Sequence, residues 1–256
     1  MLEGKKIIVT GAARGMGEAS VIAYVHAGAQ VIAMDINDED GQKVVAAANA
    51  AGPGQASYLH VDIADQNSVE ASFQAATEQL GGLDVLAHPA AIQAGGIASD
   101  ISVDDWDRMF AVNVRGTMLT NQAAYEHMKD KGGSIINFGS ISGQRAEPGA
   151  ASYSAAKGAV HSWTRSAAAA WGAKGIRVNA ILPAMATPMY REAMALMTDA
   201  QKDESYWMNH RSISLGEQYG DPLTDLGPVM VFFASEGSRF ITGQLIPVDG
   251  GQTSTR

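Results

Sequence analysis

The chain has no cysteine among its 256 residues, which excludes disulfides and cysteine-ligated zinc and leaves the redox compartment open. No stretch approaches the roughly 18 uninterrupted apolar residues needed to cross a bilayer. No basic segment, apolar run and cleavage site follow Met1, so secretion is not expected and a cytoplasmic location is. Basic residues are scarce. Eighteen Lys and Arg face 27 Asp and Glu for a net charge of −9, without a cationic cluster, so nucleic acid and anionic membrane are poor partners. The histidines (26, 60, 88, 127, 161 and 210) lack metal-ligand spacing, and no metal is expected. A linker rich in Pro, Gly or Ser, an internal repeat and a low-complexity tract are all missing, so residues 1–256 are read as one domain.

Apolar residues make up 46% of the chain, enough for a sizeable core. Short apolar or β-branched runs, "KKIIVT" (5–10), "AQVIAMD" (29–35), "QASYLHVD" (55–62), "LDVLAH" (83–88), "GSIINFGS" (133–140), "GIRVNAILP" (175–183) and "ITGQLIPVD" (241–249), read as strands. Several do not alternate with polar residues, as expected of parallel strands covered on both faces. Between them lie helical stretches at 15–28, 38–51, 66–80, 102–130, 152–173 and 222–235. The alternation predicts an α/β chain: a doubly wound parallel sheet of about seven strands with helices on both faces.

Gly11, Gly15 and Gly17 follow the first strand and open a helix. Glycine lets backbone approach a ligand closely, and a helix N-terminus supplies free N–H groups and partial positive charge, a combination that cradles a pyrophosphate. Asp35 ends the second strand, 18 residues after Gly17. A carboxylate there accepts from adenosine ribose hydroxyls and repels a 2′-phosphate, predicting NAD over NADP, although Arg14 could favour the extra phosphate. After the third strand, Asp62 could accept from the adenine amino group while Ile63 flanks the ring; Asp62 could equally be the N-cap of helix 66–80.

Tyr153 and Lys157 lie one turn apart on a helix of small residues, "ASYSAAKGAV". The strand before that helix presents Ser140 at its carboxyl end, where ligands of open α/β sheets lie. A phenol of pKa about 10 is a poor base at neutral pH, and lowering that value by about 2–3 requires roughly 3–4 kcal/mol of preferential phenolate stabilisation. Lys157 could supply much of it as a nearby cation, and the small neighbours leave room for a cofactor.

In "TGAARGMG" (10–17), "VDI" (61–63), "NVRGT" (113–117), "NFGSISG" (137–143), "YSAAK" (153–157), "GIRVNAILP" (175–183) and "VDGG" (248–251), the chain resembles the short-chain dehydrogenase/reductase family over essentially its whole length. The resemblance implies a Rossmann-type fold in which Gly11, Arg14, Gly15, Met16 and Gly17 face NAD. It implies Ser140 as the hydroxyl orienting the substrate oxygen, Tyr153 as general acid/base, and Lys157 holding the nicotinamide ribose and depressing the tyrosine pKa. Asn113 would keep a water in the proton relay and Thr187 would contact the cofactor near its nicotinamide end; the alternative for both is a helix-kink or cap role. A homotetramer is implied, built through helices 102–130 and 152–173 and through the C-terminal strand region, with Trp163 and Trp171 as interface anchors or core.

Two stretches depart from the family pattern. "HPAA" (88–91) replaces the usual Asn-Asn-Ala-Gly, with backbone passage beside the adenosine ribose still expected through Ala90 and His88 read as a hydrogen-bonded structural residue. Ala184 stands where a glycine usually follows Pro183. Substrate choice rests on a lid segment at about 185–215, rich in methionine (185, 189, 194, 197, 208) and containing Tyr190, Tyr206 and Trp207. It is read as a mobile cover over an apolar pocket, with Met185 and Tyr190 against the substrate; an ordinary amphipathic helix is the alternative. The expected reaction interconverts a bulky or cyclic, neutral secondary alcohol and its ketone. The alternatives are reduction of a 3-oxoacyl thioester, a methyltransferase, which would have no use for Ser140, Tyr153 and Lys157, and a non-catalytic NAD-binding regulator.

Overall fold

In the computed structural model, residues 1–253 are described, apart from the side chains of Met189 and Ala193. Strands β1 (Lys6–Thr10), β2 (Gln30–Asp35), β3 (Gln55–His60), β4 (Val85–His88), β5 (Gly133–Phe138), β6 (Ile176–Pro183) and β7 (Leu245–Val248) form one sheet. Their order is β3-β2-β1-β4-β5-β6-β7, and every neighbouring pair is parallel. Ile7, Ile8 and Val9 are completely buried, which accounts for a strand whose apolar residues do not alternate.

Two cores flank the sheet. One packs Val21 and Tyr24 of α1 (Gly15–His26), Val44 of α2 (Asp38–Ala51), and Met230 and Phe233 of α9 (Gly227–Ala234). The other packs Phe73 of α3 (Gln66–Leu80), Met128 of α5 (Gly116–Met128) and Ala168 of α6 (Ala151–Trp171). The doubly wound sheet follows as predicted. The strand order reverses between β1 and β4, and such a reversal opens a crevice at the carboxyl ends of the strands. Among the described residues, no helix is long and apolar enough to cross a membrane.

Several boundaries differ from those read in the sequence. The helix expected over 102–130 is α4 (Val103–Phe110), a π-helical turn (Ala111–Arg115) and then α5. The helix expected over 222–235 opens with a π-helical turn, Pro222–Leu226, capped by Asp221, before α9. The last strand begins at Leu245 rather than 241, because side chains take over ladder bonds there: Thr242 Oγ1 accepts from the Val178 N–H and Asn179 Oδ1 from the Gln244 N–H. The lid segment folds as α7 (Pro188–Ala195), α8 (Asp199–Ser205) and a π-helical turn, Tyr206–His210. Trp163 donates to Asn121 at 3.0 Å and Trp171 stacks on Tyr125 at 4.9 Å, so both half-buried indoles join α6 to α5 within the chain.

Candidate active site

The glycine loop closes β1 against the switch point. Gly11 has φ +64°, and a Cβ there would lie 2.5 Å from the Ala90 Cα, so the loop is seated on the backbone after β4. A Cβ on Gly17 would lie 1.9 Å from the Gly11 carbonyl oxygen, which makes glycine obligatory where α1 meets the loop. Arg14 occupies the N-cap position of α1 without making a side-chain capping bond. The first N–H groups of the helix therefore keep their capacity for an external acceptor, beside the positive end of the helix. That donor set suits a pyrophosphate. Met16, on the first turn, packs against the core below.

Asp35 ends β2 beside this loop, where Oδ2 accepts from the Ala13 N–H and Oδ1 from the Asn37 N–H, both at 2.9 Å. The carboxylate is thus fixed in direction and keeps free lone pairs. The Arg14 guanidinium turns to Asp40, with bonds of 2.8 and 3.0 Å, and this partner raises its pKa. Thr187, in the loop after β6, comes within 3.5 Å of the Cβ position of Gly15, so the loops after β1 and β6 meet. Its Oγ1 also accepts from the Tyr190 N–H at 3.3 Å, as the cap alternative expects. The cap reading of Asp62 is corrected: Asp65 caps α3, its Oδ1 accepting from the Ser68 N–H, while Asp62 accepts from the Ala64 N–H two residues on. Ile63 is buried, and its side chain abuts Gly116 at the start of α5.

Ser140 stands just past β5, and its hydroxyl lies close enough to the Tyr153 phenol of α6 to act on its acidity. The serine Oγ also accepts from the Ser142 N–H at 3.2 Å, which holds it on a tight turn. Lys157, one turn beyond Tyr153, is almost fully buried. Its ammonium donates to the Phe138 carbonyl at 2.8 Å and sits 5.6 Å from the centre of the tyrosine ring. Burial lowers Lys157 to about 8.

The expectation that Lys157 lowers the phenol pKa is corrected in this structure. Burial raises Tyr153, and only the neighbouring Ser140 hydroxyl acts the other way. The physical reason is that the phenolate loses its hydration while the ammonium points at a main-chain carbonyl.

Asn113 lies in the π-helical turn and clasps the chain after β4. Its Oδ1 accepts from the Ile92 N–H and its Nδ2 donates to the Ile92 carbonyl, both at 2.8 Å, and the Thr117 hydroxyl donates to its main-chain carbonyl at 2.7 Å. Its side chain thus acts at the helix kink, and a relay water could use only the remaining capacity of the carbonyl. His88 is buried, with Nδ1 at 2.6 Å from the Thr10 hydroxyl and Nε2 at 3.1 Å from that of Thr117, and burial pushes it down to about 3. It is a hydrogen-bonded structural residue, as read from the sequence. Ala184 fits its turn, exchanging main-chain bonds with Val248 and Gly220.

Met185 does not serve the role expected of it. Its side chain is buried in one of the two cores, and its backbone bridges to Gly220. Tyr190 is half-buried and bonded through its hydroxyl to His210 Nε2 at 2.5 Å, and its ring meets Tyr219 edge-on at 4.8 Å. Leu196, Trp207 and Met208 are exposed on this segment, and the Met189 side chain lies outside the described residues. The sequence reading missed His210 and Tyr219, which complete an aromatic cluster with Tyr190 and Tyr206. Burial raises the Tyr219 phenol, and the charges of Arg145 and Glu147, in the loop after Ser140, also act on it. Only an aromatic recurring after the lid hinted at this grouping in sequence.

The chain is similar to known oxidoreductases over nearly its whole length. A family model described as enoyl-(acyl carrier protein) reductase matches residues 11–253. A 2,5-dichloro-2,5-cyclohexadiene-1,4-diol dehydrogenase of Sphingobium indicum is 38% identical over 99% of the chain and 98% of the relative. A meso-2,3-butanediol dehydrogenase of Serratia marcescens is 34% identical, over 99% and 96%. The crystal structure of a carveol dehydrogenase from Mycobacterium avium in complex with NAD superposes with a TM-score of 0.89 at 28% identity, covering 98% of each chain.

Proposed function

Since the chain belongs to the short-chain dehydrogenase/reductase family, we propose that this oxidoreductase interconverts a bulky or cyclic, neutral secondary alcohol and its ketone with NAD. The observation that carries the reading is the convergence of the Ser140 hydroxyl and the Tyr153 phenol at the carboxyl end of β5, with the Lys157 ammonium 5.6 Å from the centre of the tyrosine ring. The uncapped glycine loop at the carboxyl end of β1 supplies the cofactor half.

The first-turn N–H groups of α1 hold the pyrophosphate, and Asp35 accepts from the adenosine ribose. When bound, a nicotinamide dinucleotide supplies the two-electron acceptor or donor. Tyr153 Oη takes the proton of the substrate hydroxyl during oxidation and returns it during reduction. The Ser140 hydroxyl donates to the substrate oxygen as negative charge develops there. Lys157, 5.6 Å from the centre of the tyrosine ring, would hold the nicotinamide ribose, beside a phenol that burial makes a weak acid. The preference for NAD rests on Asp35 and on Arg14, whose guanidinium is committed to Asp40 rather than to a 2′-phosphate. The NAD of the carveol dehydrogenase neighbour supports it. The substrate class rests on the rings of Tyr190, His210 and Tyr219, and the cyclohexadiene-diol dehydrogenase among the relatives is in keeping with it.

The test is a panel of cyclic, aromatic and acyl-thioester substrates assayed with both cofactors. Turnover of cyclic alcohols with NAD is expected, and Tyr153→Phe should lower kcat by roughly 100-fold or more while NAD affinity stays within about threefold. Equal efficiency with NADP would overturn the cofactor assignment. A Tyr153→Phe variant with a near-normal rate would overturn the acid/base assignment.

A further inference from the structure

His161 lies on α6 at the next turn after Lys157, so Tyr153, Lys157 and His161 form one stripe along the helix. The ring is 3% exposed, and its Nε2 accepts from the main-chain N–H of Ser140 at 3.3 Å. Both glycines flanking the serine turn are shaped around it. A Cβ on Gly139 would lie 2.4 Å from Nε2, and one on Gly143 would lie 2.7 Å from Cε1. The remaining polar groups of Ser140 are held locally, its Oγ by the Ser142 N–H and its carbonyl by the Gly143 N–H. The N–H is the one group of Ser140 anchored from α6, the helix that carries the phenol.

We infer that His161 is a positioning residue that ties the Ser140 turn to α6 and so sets the distance between the serine hydroxyl and Tyr153. An Nε2 that accepts must belong to a neutral ring with its proton on Nδ1. Burial first, then the charges of Lys157 and Arg165, lower the ring to about 4, which keeps it neutral at physiological pH. His161 lines a cleft of about 730 Å³ together with Ile141 and Gly143 of the serine turn and with Gln144, Arg145 and Arg165. Without the imidazole, the turn would be free to shift toward that space.

The inference rests on the proposed role of Ser140 and Tyr153, and its test separates the two. The pair to compare is His161→Leu, which fills the volume without an acceptor, and His161→Gln, whose amide oxygen reaches the place of Nε2. Displacing a reacting group by about 1 Å costs on the order of 100-fold in rate. His161→Leu should therefore lose roughly 10- to 100-fold in kcat, with the NAD KM within about twofold and a cooperative melt retained. His161→Gln should recover most of that rate. The imidazole nitrogen shifts of the wild-type protein, read by NMR without substrate or cofactor, should show the Nδ1-protonated form from pH 8 to about 5. Equal rates in the two variants and the wild type, or an Nε2-protonated ring, would overturn the positioning role while leaving the Ser140–Tyr153 reading intact. An inactive wild type with the predicted tautomer would overturn that reading instead. If neither variant folds, the tautomer measurement alone decides.

Discussion

At the scale of single residues, the chemistry of this site is governed by burial. Lys157, His161 and His88 are buried and Tyr153 is partly so, and each is pushed toward its uncharged form. For the histidines this has a consequence for stability. The unfolded chain protonates its histidines near pH 6.5, whereas folded His88 and His161 resist protonation until about 3 and about 4. Below pH 6.5 the unfolded state binds protons that the folded state cannot, so stability is full above that pH and falls as the pH drops from about 6.5 toward 4. The slope is up to about 1.4 kcal/mol per pH unit for each such histidine. Urea unfolding at several pH values should show this fall, and His88→Asn should make it shallower by about one histidine's share. An unchanged slope would mean that another group carries the linkage.

At the scale of elements, short-range contacts decide where helices begin and bend. The start of α1 is fixed by Gly17, where a Cβ would lie 1.9 Å from the Gly11 carbonyl oxygen. Gly17→Ala must displace backbone rather than a flexible side chain, at a cost of about 1–3 kcal/mol. The expected result is a lowered melting temperature and at least about tenfold weaker NAD binding by calorimetry, and binding at the wild-type level would show that the loop tolerates the shift. The kink between α4 and α5 has a different origin. Asn113 clasps Ile92 with both ends of its amide, and the Thr117 hydroxyl takes up its carbonyl, so the helix widens into a π-turn to reach the chain after β4. A continuous apolar periodicity over 102–130 conceals this, because the bend answers to a partner more than 20 residues away in sequence.

At the scale of the molecule, some of the exposed apolar side chains lie on α4 and around the approach to the last strand. Val103 and Trp106, the latter stacked on Phe110 at 4.6 Å, project from α4; Phe232 and Phe240 project from α9 and the loop before β7. Phe240 is 99% exposed. Val103 and Trp106 fall in the 102–130 stretch, and Phe240 lies beside the C-terminal strand region, through both of which the family resemblance implies a homotetramer; burying one such phenylalanine contributes about 2 kcal/mol. Light scattering is expected to give four chains per particle, with Phe240→Ser shifting the population to smaller species at micromolar concentration. A wild-type monomer would remove the tetramer from the proposal.

What the sequence determined by itself is what short chain distances and periodicity can carry. Seven apolar runs separated by helical stretches suffice for a parallel sheet, and the glycine loop, Asp35, and the Tyr153–Lys157 pair are local patterns whose place at strand ends follows from the alternation. What only the tertiary structure decided depends on groups far apart in the chain. Asp65 displaced Asp62 as the cap, Met185 packed into a core with its backbone bridged to Gly220, and Tyr190 found His210 and Tyr219. The direction of the tyrosine pKa belongs to the same class, because a charge one helical turn away is visible in sequence, whereas the loss of water around a phenol depends on everything packed above it.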